Sequence, residues 1–286
     1  MNQTSVFVDS RYQYFSGLTQ ATSVNNQAQA YFFSAFATLA YGSERWGVNV
    51  SIPFVRRVQE NTYVGSSSLH FEHVGRHVSA VDSVSVERNT VEGIGDMSAL
   101  ARWAVIHGQG DTFTWLYFQG GFKLPTGAWD ARDRYGYLLH PDIQAGTGTG
   151  DILLGIAGSR GDFFRSFSLS LLAGVPVHNS HPYQEGASVN FDATYQGRIF
   201  PEDAEDGPML IGSAGLFGKF AARDHFGGLA VDASGGSYVF FSGGFTFMPI
   251  PGLRFQVLVQ APLMIALNGA QLEEQFRLVT GIQATF

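Results

Sequence analysis

The most regular pattern in the chain is alternation of apolar and polar residues with a period of two. From Ser188 to Ile199 the odd positions are apolar or glycine, and the even positions are polar. Residues 274–286 alternate in a similar way and end on Phe286. Successive side chains of a β-strand point to opposite faces, so this period predicts strands with one apolar and one polar face.

Twelve segments of this kind follow one another along the chain. They span about residues 5–16, 30–41, 45–55, 94–107, 112–124, 150–160, 163–175, 187–199, 208–221, 236–247, 253–265 and 274–286. Soluble strands usually have about five or six residues, whereas a strand that crosses a bilayer needs about 9–11. The length of these segments therefore favours strands that cross a membrane.

The connections between the segments alternate in length. The short ones are 42–44, 108–111, 161–162, 200–207 and 248–252, and the longer ones are about 17–29, 56–93, 125–149, 176–186, 222–235 and 266–273. An up-and-down barrel with short periplasmic turns and long extracellular loops has this alternation. The prediction is an all-β fold, a closed antiparallel 12-stranded up-and-down transmembrane β-barrel. Residues 1–286 would form one domain, with loops 56–93 and 125–149 extracellular and both termini periplasmic.

The composition agrees with a barrel in lipid. Only 14% of the residues are charged, compared with about 25% in a typical soluble domain. A soluble barrel would need a charged outer face, whereas in lipid the apolar face lies outside and the polar face lines the lumen. No run of consecutive apolar residues approaches the length of about 20 that a transmembrane helix needs. The predicted location is therefore the outer membrane of a Gram-negative bacterium, surrounded by lipid and lipopolysaccharide.

Other classes of protein are excluded by charge and by cysteine content. The net charge of −7 argues against a nucleic-acid partner. The absence of cysteine excludes disulfide scaffolds, cysteine-ligated zinc and cysteine catalysis. The first residues show neither a basic nor an apolar leader, so we expect a mature form whose signal peptide has been removed and a Met added. No cofactor is expected.

Several segments resemble one family of bacterial proteins. They are Gly93–Trp103, Gly121–Gly127, Gln144–Asp151, Gln260–Leu263 and Leu267–Leu272, followed by the final strand. In this order, over about residues 93–286, they resemble the outer-membrane transporter family named for the meta-pathway of phenol degradation. The resemblance implies an outer-membrane barrel that takes up small hydrophobic or aromatic compounds. The terminal Phe286 also resembles the C-terminal signal read by the outer-membrane assembly machinery.

The alternation predicts which charged side chains line the lumen. Eight basic residues point inward: Arg11, Arg45, Arg102, Lys123, Arg198, Lys219, Arg254 and Arg277. Four acidic residues share that face: Asp9, Asp96, Asp151 and Asp192. The aromatic residues Trp115 and Tyr117 also point inward. Either these charges pair and hold the barrel in shape, or they select solutes. An excess of inward Arg and Lys would favour anionic or aromatic solutes.

Two further kinds of site are compatible with parts of the sequence. His70, His73 and His77 would share one face of a helix and are weak candidates for a divalent-metal site, but no second cluster completes it, and the expectation is a polar surface loop without a metal. A barrel enzyme would need a Ser and a His close together near the lipid interface. Only Ser68 and His70 have a suitable spacing, and both lie in a loop, so no enzymatic activity is expected.

The sequence therefore predicts an outer-membrane channel for passive uptake or efflux of small hydrophobic or aromatic solutes. The alternative is a non-conducting barrel that serves as a structural or assembly partner of another envelope protein. Single-channel conductance distinguishes the two. A monomer and a homo-oligomer are both compatible with the sequence.

Overall fold

The computed structural model describes residues 3–18, 27–63, 68–71, 76–79, 85–108, 110–179, 181–201 and 207–286. The long strands are β1 Gln3–Leu18, β2 Gln27–Gly42, β3 Trp46–Tyr63, β6 Ser85–Ile94, β7 Met97–Gly108, β8 Phe113–Leu124, β9 Thr149–Gly161, β10 Arg165–Asn179, β12 Ser188–Phe200, β13 Met209–Ala221, β16 Gly236–Ile250, β17 Leu253–Leu267 and β18 Glu273–Thr285. The short strands are β4 Ser68–Phe71, β5 Arg76–Ser79, β11 Tyr183–Gln184, β14 His225–Phe226 and β15 Leu229–Ala230. Within these ranges the one helix is a 3-10 turn, Pro141–Ile143, and no helix is long and apolar enough to cross a membrane.

The long strands form a closed antiparallel barrel. Each pairs with its neighbours in chain order, and β1 pairs with β18, with Ser5 opposite Thr285. Strands β6 and β7 act as one interrupted strand, because both pair with β3. The barrel wall therefore has twelve strands when β6 and β7 are counted as one, and the predicted fold class is confirmed. Strands β4 and β5 form a separate hairpin, and β11, β14 and β15 form a small third sheet.

The side chains divide between the two faces as the alternation requires. On β3, Val48, Val50, Ile52 and Phe54 lie on the outer face and are each 38–47% exposed. On the inner face, Thr38 of β2 donates a hydrogen bond to Ser51 of β3 at 2.9 Å. The outer wall is thus a band of exposed aliphatic and aromatic side chains, which is stable only against lipid.

Two strands extend further than the sequence predicts. Residues 56–63 of β3 and 85–93 of β6 belong to the loop predicted over 56–93, but they pair with each other in one continuous ladder. The prediction of a loop over these residues is therefore wrong. Pairing continues because a ladder needs only backbone partners, and outward charges can pair with each other. Arg56 lies 3.8 Å from Glu92, and Arg88 lies 3.4 Å from Glu60.

A proline explains the break between β6 and β7. Strand β3 pairs with β7 up to Ser51 and with β6 from Phe54 onward, and Pro53 lies between these two ladders. Proline has no backbone N–H to donate, so the ladder loses a rung at this point. The N–H of Gly95 still bonds to the carbonyl of Pro53 at 2.8 Å, and the next residue, Asp96, leaves the ladder. The break therefore places an acidic side chain in the wall of the barrel.

The assignment of faces can be tested by placing one arginine outside and one inside. Leu154 of β9 is 57% exposed on the outer face, and Ser170 of β10 lies on the inner face, both near the middle of their strands. We expect Leu154→Arg to reduce the free energy of unfolding in liposomes by about 2–4 kcal/mol, because it places a charge in lipid. We expect Ser170→Arg to have a much smaller effect, because its side chain enters a polar lumen.

The measurement is urea unfolding in liposomes, followed by the mobility difference between unheated and boiled samples on a denaturing gel. Equal losses for the two variants would contradict the assigned faces. A folded, monodisperse protein without detergent or lipid would contradict a membrane barrel altogether.

Candidate functional site

Asp96 ties the segment between β8 and β9 to the barrel wall. Its carboxylate accepts hydrogen bonds from the N–H of Gly127 at 3.0 Å, the N–H of Thr147 at 2.8 Å and the hydroxyl of Thr147 at 2.6 Å. Beside it, the hydroxyl of Thr126 donates to the carbonyl of Gly95 at 3.0 Å and accepts from the N–H of Met97 at 2.9 Å. Asp96 was predicted as a lumen charge, but its carboxylate is occupied by this segment. Its role in the structure is that of an anchor.

Two glycines let the segment close on itself at this anchor. A side chain on Gly127 would place its Cβ 2.5 Å from the Cα of Gly146, so neither position has room for one. The N–H of Gly146 bonds to the carbonyl of Ala128 at 2.8 Å. The anchor therefore joins residues 93–103, 121–127 and 144–151, three of the segments that carry the family resemblance.

An apolar contact holds the same segment against the inner face of the barrel. Leu139, Ile143 and Ala145 pack in a buried cluster with Val55 of β3 and Val91 of β6. On β3, Val55 lies on the same face as Ser51, because the two are separated by an even number of residues. Residues 139–145 therefore lie inside the wall, where they narrow one end of the lumen.

Polar contacts complete the attachment. The guanidinium of Arg57 on β3 donates to the carbonyl of Asp142. The buried amide of Gln144 bonds to the backbone of Ala131 and Leu139 at 2.9–3.1 Å. The ring of Trp129 stacks on His181 of the next long connection, with centroids 3.9 Å apart. The two long connections are thus coupled where they meet.

Lys123 is paired with two carboxylates at the loop end of the barrel, the end at which the long connections lie. Lys123, at the end of β8, lies 2.8 Å from Asp151 of β9 and 3.4 Å from Glu185. Burial raises the pKa of Glu185, although Lys123 acts in the opposite direction. The predicted lumen residues Lys123 and Asp151 are therefore brought together. Glu185, which the sequence did not single out, lies beside them.

The middle of the lumen contains a buried ion pair. The guanidinium of Arg277 makes two bonds of 2.9 Å to Glu274, and both side chains are 5% exposed. Arg277 also donates to Gln260 at 3.3 Å, and its guanidinium lies 4.8 Å from the ring of Phe217 and 5.3 Å from that of Phe240. Side chains that line an open channel are exposed to water. The burial of Arg277 and Glu274 therefore shows that side chains pack against one another along this wall of the lumen.

The sequence missed Glu274 because of a bulge. The alternation puts position 274 on the same face as Phe276 and Leu278, which face outward. In the structure the register of β18 against β1 shifts between Phe276 and Glu274, so Gln275 is the extra residue. A bulge reverses the alternation beyond it, and Glu274 turns inward. Arg11, also predicted inward, lies on this side of the barrel, with its guanidinium 5.0 Å from the ring of Phe36.

The opposite wall carries a row of rings and guanidinium groups. The rings of Trp115 and Tyr117 on β8 are nearly parallel, with an angle of 4° and centroids 5.9 Å apart. Arg102 lies 5.3 Å from the ring of Tyr117, and His107 stacks on Trp115 at 5.5 Å. Arg45 donates to His107 at 3.1 Å. We call Arg45, His107, Trp115, Tyr117 and Arg102 the aromatic row.

The other predicted residues are spread over further strands. Asp192 of β12 accepts a hydrogen bond from Thr194 at 2.8 Å. The guanidinium of Arg198 lies 3.8 Å from the ring of Phe163, in the turn between β9 and β10. Lys219 lies on β13 opposite Asn190, and Arg254 lies near the start of β17. These four are not brought into contact with one another by any bond in the described part of the chain.

The side chains of the candidate metal ligands His70, His73 and His77 lie outside the part of the chain that the structure describes. His73 is not among the described residues, and of His70 and His77 only the backbone is described, where they pair across the hairpin. Among the described residues, no group of three His, Asp or Glu side chains could hold a metal ion. The expectation of no metal site at these histidines is therefore neither confirmed nor contradicted.

The comparisons with known proteins give a fold rather than a family. No family model and no curated protein matches the sequence. The structure is similar to that of an outer membrane channel from Pseudomonas putida F1, with a TM-score of 0.64 and 14% identity over 100% of this chain and 96% of that one. The low-pH structure of Pseudomonas putida OprB aligns with a TM-score of 0.20 and 9% identity, over 98% and 92% of the two chains. The first match shows a shared barrel fold, and the resemblance to the phenol-degradation family stays a prediction.

The anchor can be tested by removing its carboxylate. We expect Asp96→Ala to release residues 125–149, because two backbone N–H groups and a hydroxyl lose an ionised acceptor, at a cost of about 2–4 kcal/mol. Trypsin should then cleave faster at Arg132 and Arg134, as measured by mass spectrometry of the folded protein in detergent. Asp130→Ala, in the same segment, is the control and should leave the rate unchanged. Equal cleavage of Asp96→Ala and wild type would show that the anchor does not hold the segment.

The attachment should also depend on pH. His140 lies 3.2 Å from Asp142. Burial alone would lower the pKa of His140, but the carboxylate of Asp142 reverses this and raises it above 6.5. Burial likewise opposes the charge of Asp142, but His140 and Arg57 hold its pKa below 3.8. The His140 contribution is present below about pH 6.5 and lost as the pH rises through its raised pKa. The Asp142 contribution is present above about pH 3.8 and lost as the pH falls through its lowered pKa.

The segment should therefore be held most firmly between these limits. The measurement is the rate of hydrogen exchange in residues 131–145 at pH 5.5 and 8.5, divided by the rate in His140→Gln at the same pH. We expect extra protection in the wild type at pH 5.5 and none at pH 8.5. The same ratio at both pH values would refute the coupling.

Proposed function

We propose that the protein is an outer-membrane channel through which small aromatic or hydrophobic solutes pass passively, with a preference for anions. The observation that carries this proposal is the aromatic row on the inner wall. Stacked rings offer an apolar surface to a flat solute, and the guanidinium groups of Arg45 and Arg102 at its two ends attract negative charge. A polar lumen with no such row would favour hydrophilic solutes instead.

The strand order supports a route along this wall. The aromatic row lies on β7 and β8, with Arg45 in the turn that precedes β3, and the buried pair Arg277–Glu274 lies on β18. In the closed order of strands these positions are on opposite sides of the barrel. The packed residues therefore narrow the lumen from one side and leave the aromatic row facing the remaining space.

The distribution of charge supports the preference for anions. At the loop end, Lys123 is matched by Asp151 and Glu185. Toward the short turns lie four guanidinium groups of the predicted set: Arg45, Arg102, Arg198 and Arg254. Basic groups in a narrow lumen between low-dielectric walls raise the local concentration of anions.

The placement in the envelope follows from the same proposal. The short turns and both termini would lie on the periplasmic side, and loops 56–93 and 125–149 on the extracellular side. Lipid and lipopolysaccharide would surround the outer face. Phe286, which is 80% exposed and whose N–H bonds to Thr4 at 2.8 Å, would be read by the outer-membrane assembly machinery. A homo-oligomer is compatible with this arrangement, and no catalytic step is part of it.

The second candidate is a non-conducting barrel that supports another envelope protein. The packed lumen around Arg277, Glu274 and Phe240 favours it, because such packing also suits a closed scaffold. Conductance separates the two functions: a scaffold gives no channel events in a planar bilayer.

The selectivity can be measured as a reversal potential across a salt gradient. We expect the wild type to favour chloride over potassium. The double substitution Arg45→Gln and Arg102→Gln should move the reversal potential toward zero, because it removes two positive charges from the lumen. Arg160→Gln, on the outer face of β9, removes one charge outside the lumen and should have no effect.

Cation selectivity in the wild type would refute the charge argument. An equal shift in Arg160→Gln would show that the lumen charges are not responsible. Absence of conductance in a correctly folded sample would favour the scaffold.

A further inference from the structure

A cavity of about 600 Å³ lies at the short-turn end of the lumen. It is open on one side and is lined by residues of β1, β8, β10, β12, β13, β16, β17 and β18 and of the turn between β9 and β10. Its volume is within the range of about 300–1,000 Å³ that is typical of small-molecule sites. It differs from the aromatic row, whose residues Trp115 and Tyr117 are not part of its lining.

The lining combines apolar side chains with cations. Its apolar members include Phe7, Phe113, Met209, Ile211 and Met248. Methionine and aromatic side chains adapt to flat or irregular apolar bodies of different shapes. This part of the lining suits a ring or a short hydrocarbon body.

Two guanidinium groups face this apolar surface, Arg198 and Arg254. Arg198 is held in place by the ring of Phe163 at 3.8 Å and by a bond of 2.8 Å to the sulfur of Met209. The side chain of Arg254 makes no hydrogen bond and no ion pair within the described part of the chain. A planar guanidinium without a partner, at the edge of an apolar cavity, is suited to a bidentate bond with a carboxylate.

The other charges of the lining leave room for one anion. The lining contains Arg165, Arg198 and Arg254 against Asp9 and Asp162, so three positive and two negative charges give a net charge of +1. Asp162 is occupied within its own turn, where it accepts from the N–H groups of Phe164 and Arg165 at 2.8 Å. A ligand with a single negative charge would neutralise the cavity.

We propose that this cavity is a binding site for aromatic monocarboxylates, with the carboxylate on Arg254 and the ring against Met209, Ile211 and Met248. The proposal rests on the proposed function, since it assigns to such a channel a site where solute pauses at the end of the lumen. Binding should be saturable, with one ligand per barrel.

The test is equilibrium binding of 2-naphthoate to the full chain in lipid nanodiscs, measured by isothermal titration calorimetry. We expect one saturable site in the wild type. Arg254→Gln should weaken binding about tenfold or more, because it removes a charge-assisted bond, and Arg254→Lys should restore part of the loss. Naphthalene-2-carboxamide, which has the same ring system without the charge, should bind at least about tenfold more weakly.

Arg160→Gln on the outer face is the matched control and should bind as the wild type does. The mobility difference between unheated and boiled samples shows that each variant is folded. A folded Arg254→Gln variant with unchanged affinity, or equal affinity for acid and amide, would overturn the proposal.

Conductance of the same samples separates the two proposals. Saturable binding without channel events would retain the binding site and refute the channel. Channel events without saturable binding would retain the channel and refute the site.

Discussion

The closure of the backbone ladder is the constraint on which the rest of the structure depends. In lipid no water is available to satisfy an open sheet edge, so the first and last strands must pair. They do so from Ser5 opposite Thr285 to Ser16 opposite Glu273. Closure fixes which residues face inward, and only then does the pair Arg277–Glu274 of β18 meet side chains of other strands, such as Gln260 and Phe217. A barrel whose first and last strands did not pair would therefore lose the wall and the lumen together.

Four of the irregularities of the wall lie at or beside prolines. Pro53, Pro176, Pro249 and Pro262 lie within barrel strands, and each falls at or beside a break or shift in the ladder. Proline cannot donate to a neighbour, so these sites are natural positions for a bulge. At Pro53 the irregularity gains a role, because the displaced Asp96 receives the segment between β8 and β9. Pro53, whose backbone cannot donate a hydrogen bond, thus connects the structure of the wall with the segment that narrows the lumen.

The period of two was sufficient to predict the strands, because burial in lipid on one side and water on the other leaves a strong signal. The period of two failed to predict strands where a segment no longer has lipid on one side and water on the other. Residues 56–63 carry charges and were assigned to a loop, although the ladder continues there. It also failed where the register changes, as at Glu274, since a single extra residue reverses the faces beyond it.

Contacts between loop and wall left no periodic signal. The anchoring role of Asp96 depends on Gly127 and Thr147, which are distant in sequence and have no alternation of their own. The same holds for Asp142 beside Arg57 and for Glu185 beside Lys123. Such contacts depend on how a connection folds back, which the pattern of a strand does not encode. The motifs of the family resemblance marked this region, but they did not show that their residues would meet.

The charge and polarity of the lumen change along its axis, and this change limits how a solute can pass. At the loop end Lys123 is paired with the carboxylates of Asp151 and Glu185, so its positive charge is compensated there. In the middle, Arg277 and Glu274 are buried, and separating such a pair costs about 3–5 kcal/mol. In the proposed channel a solute would pass beside this pair rather than through it. The rings of Trp115 and Tyr117 lie on the opposite wall, nearer the short turns, and the guanidinium groups of Arg198 and Arg254 lie at the short-turn end. From the loop end to the short-turn end, the lumen thus changes from paired charges to apolar rings and then to groups that attract negative charge.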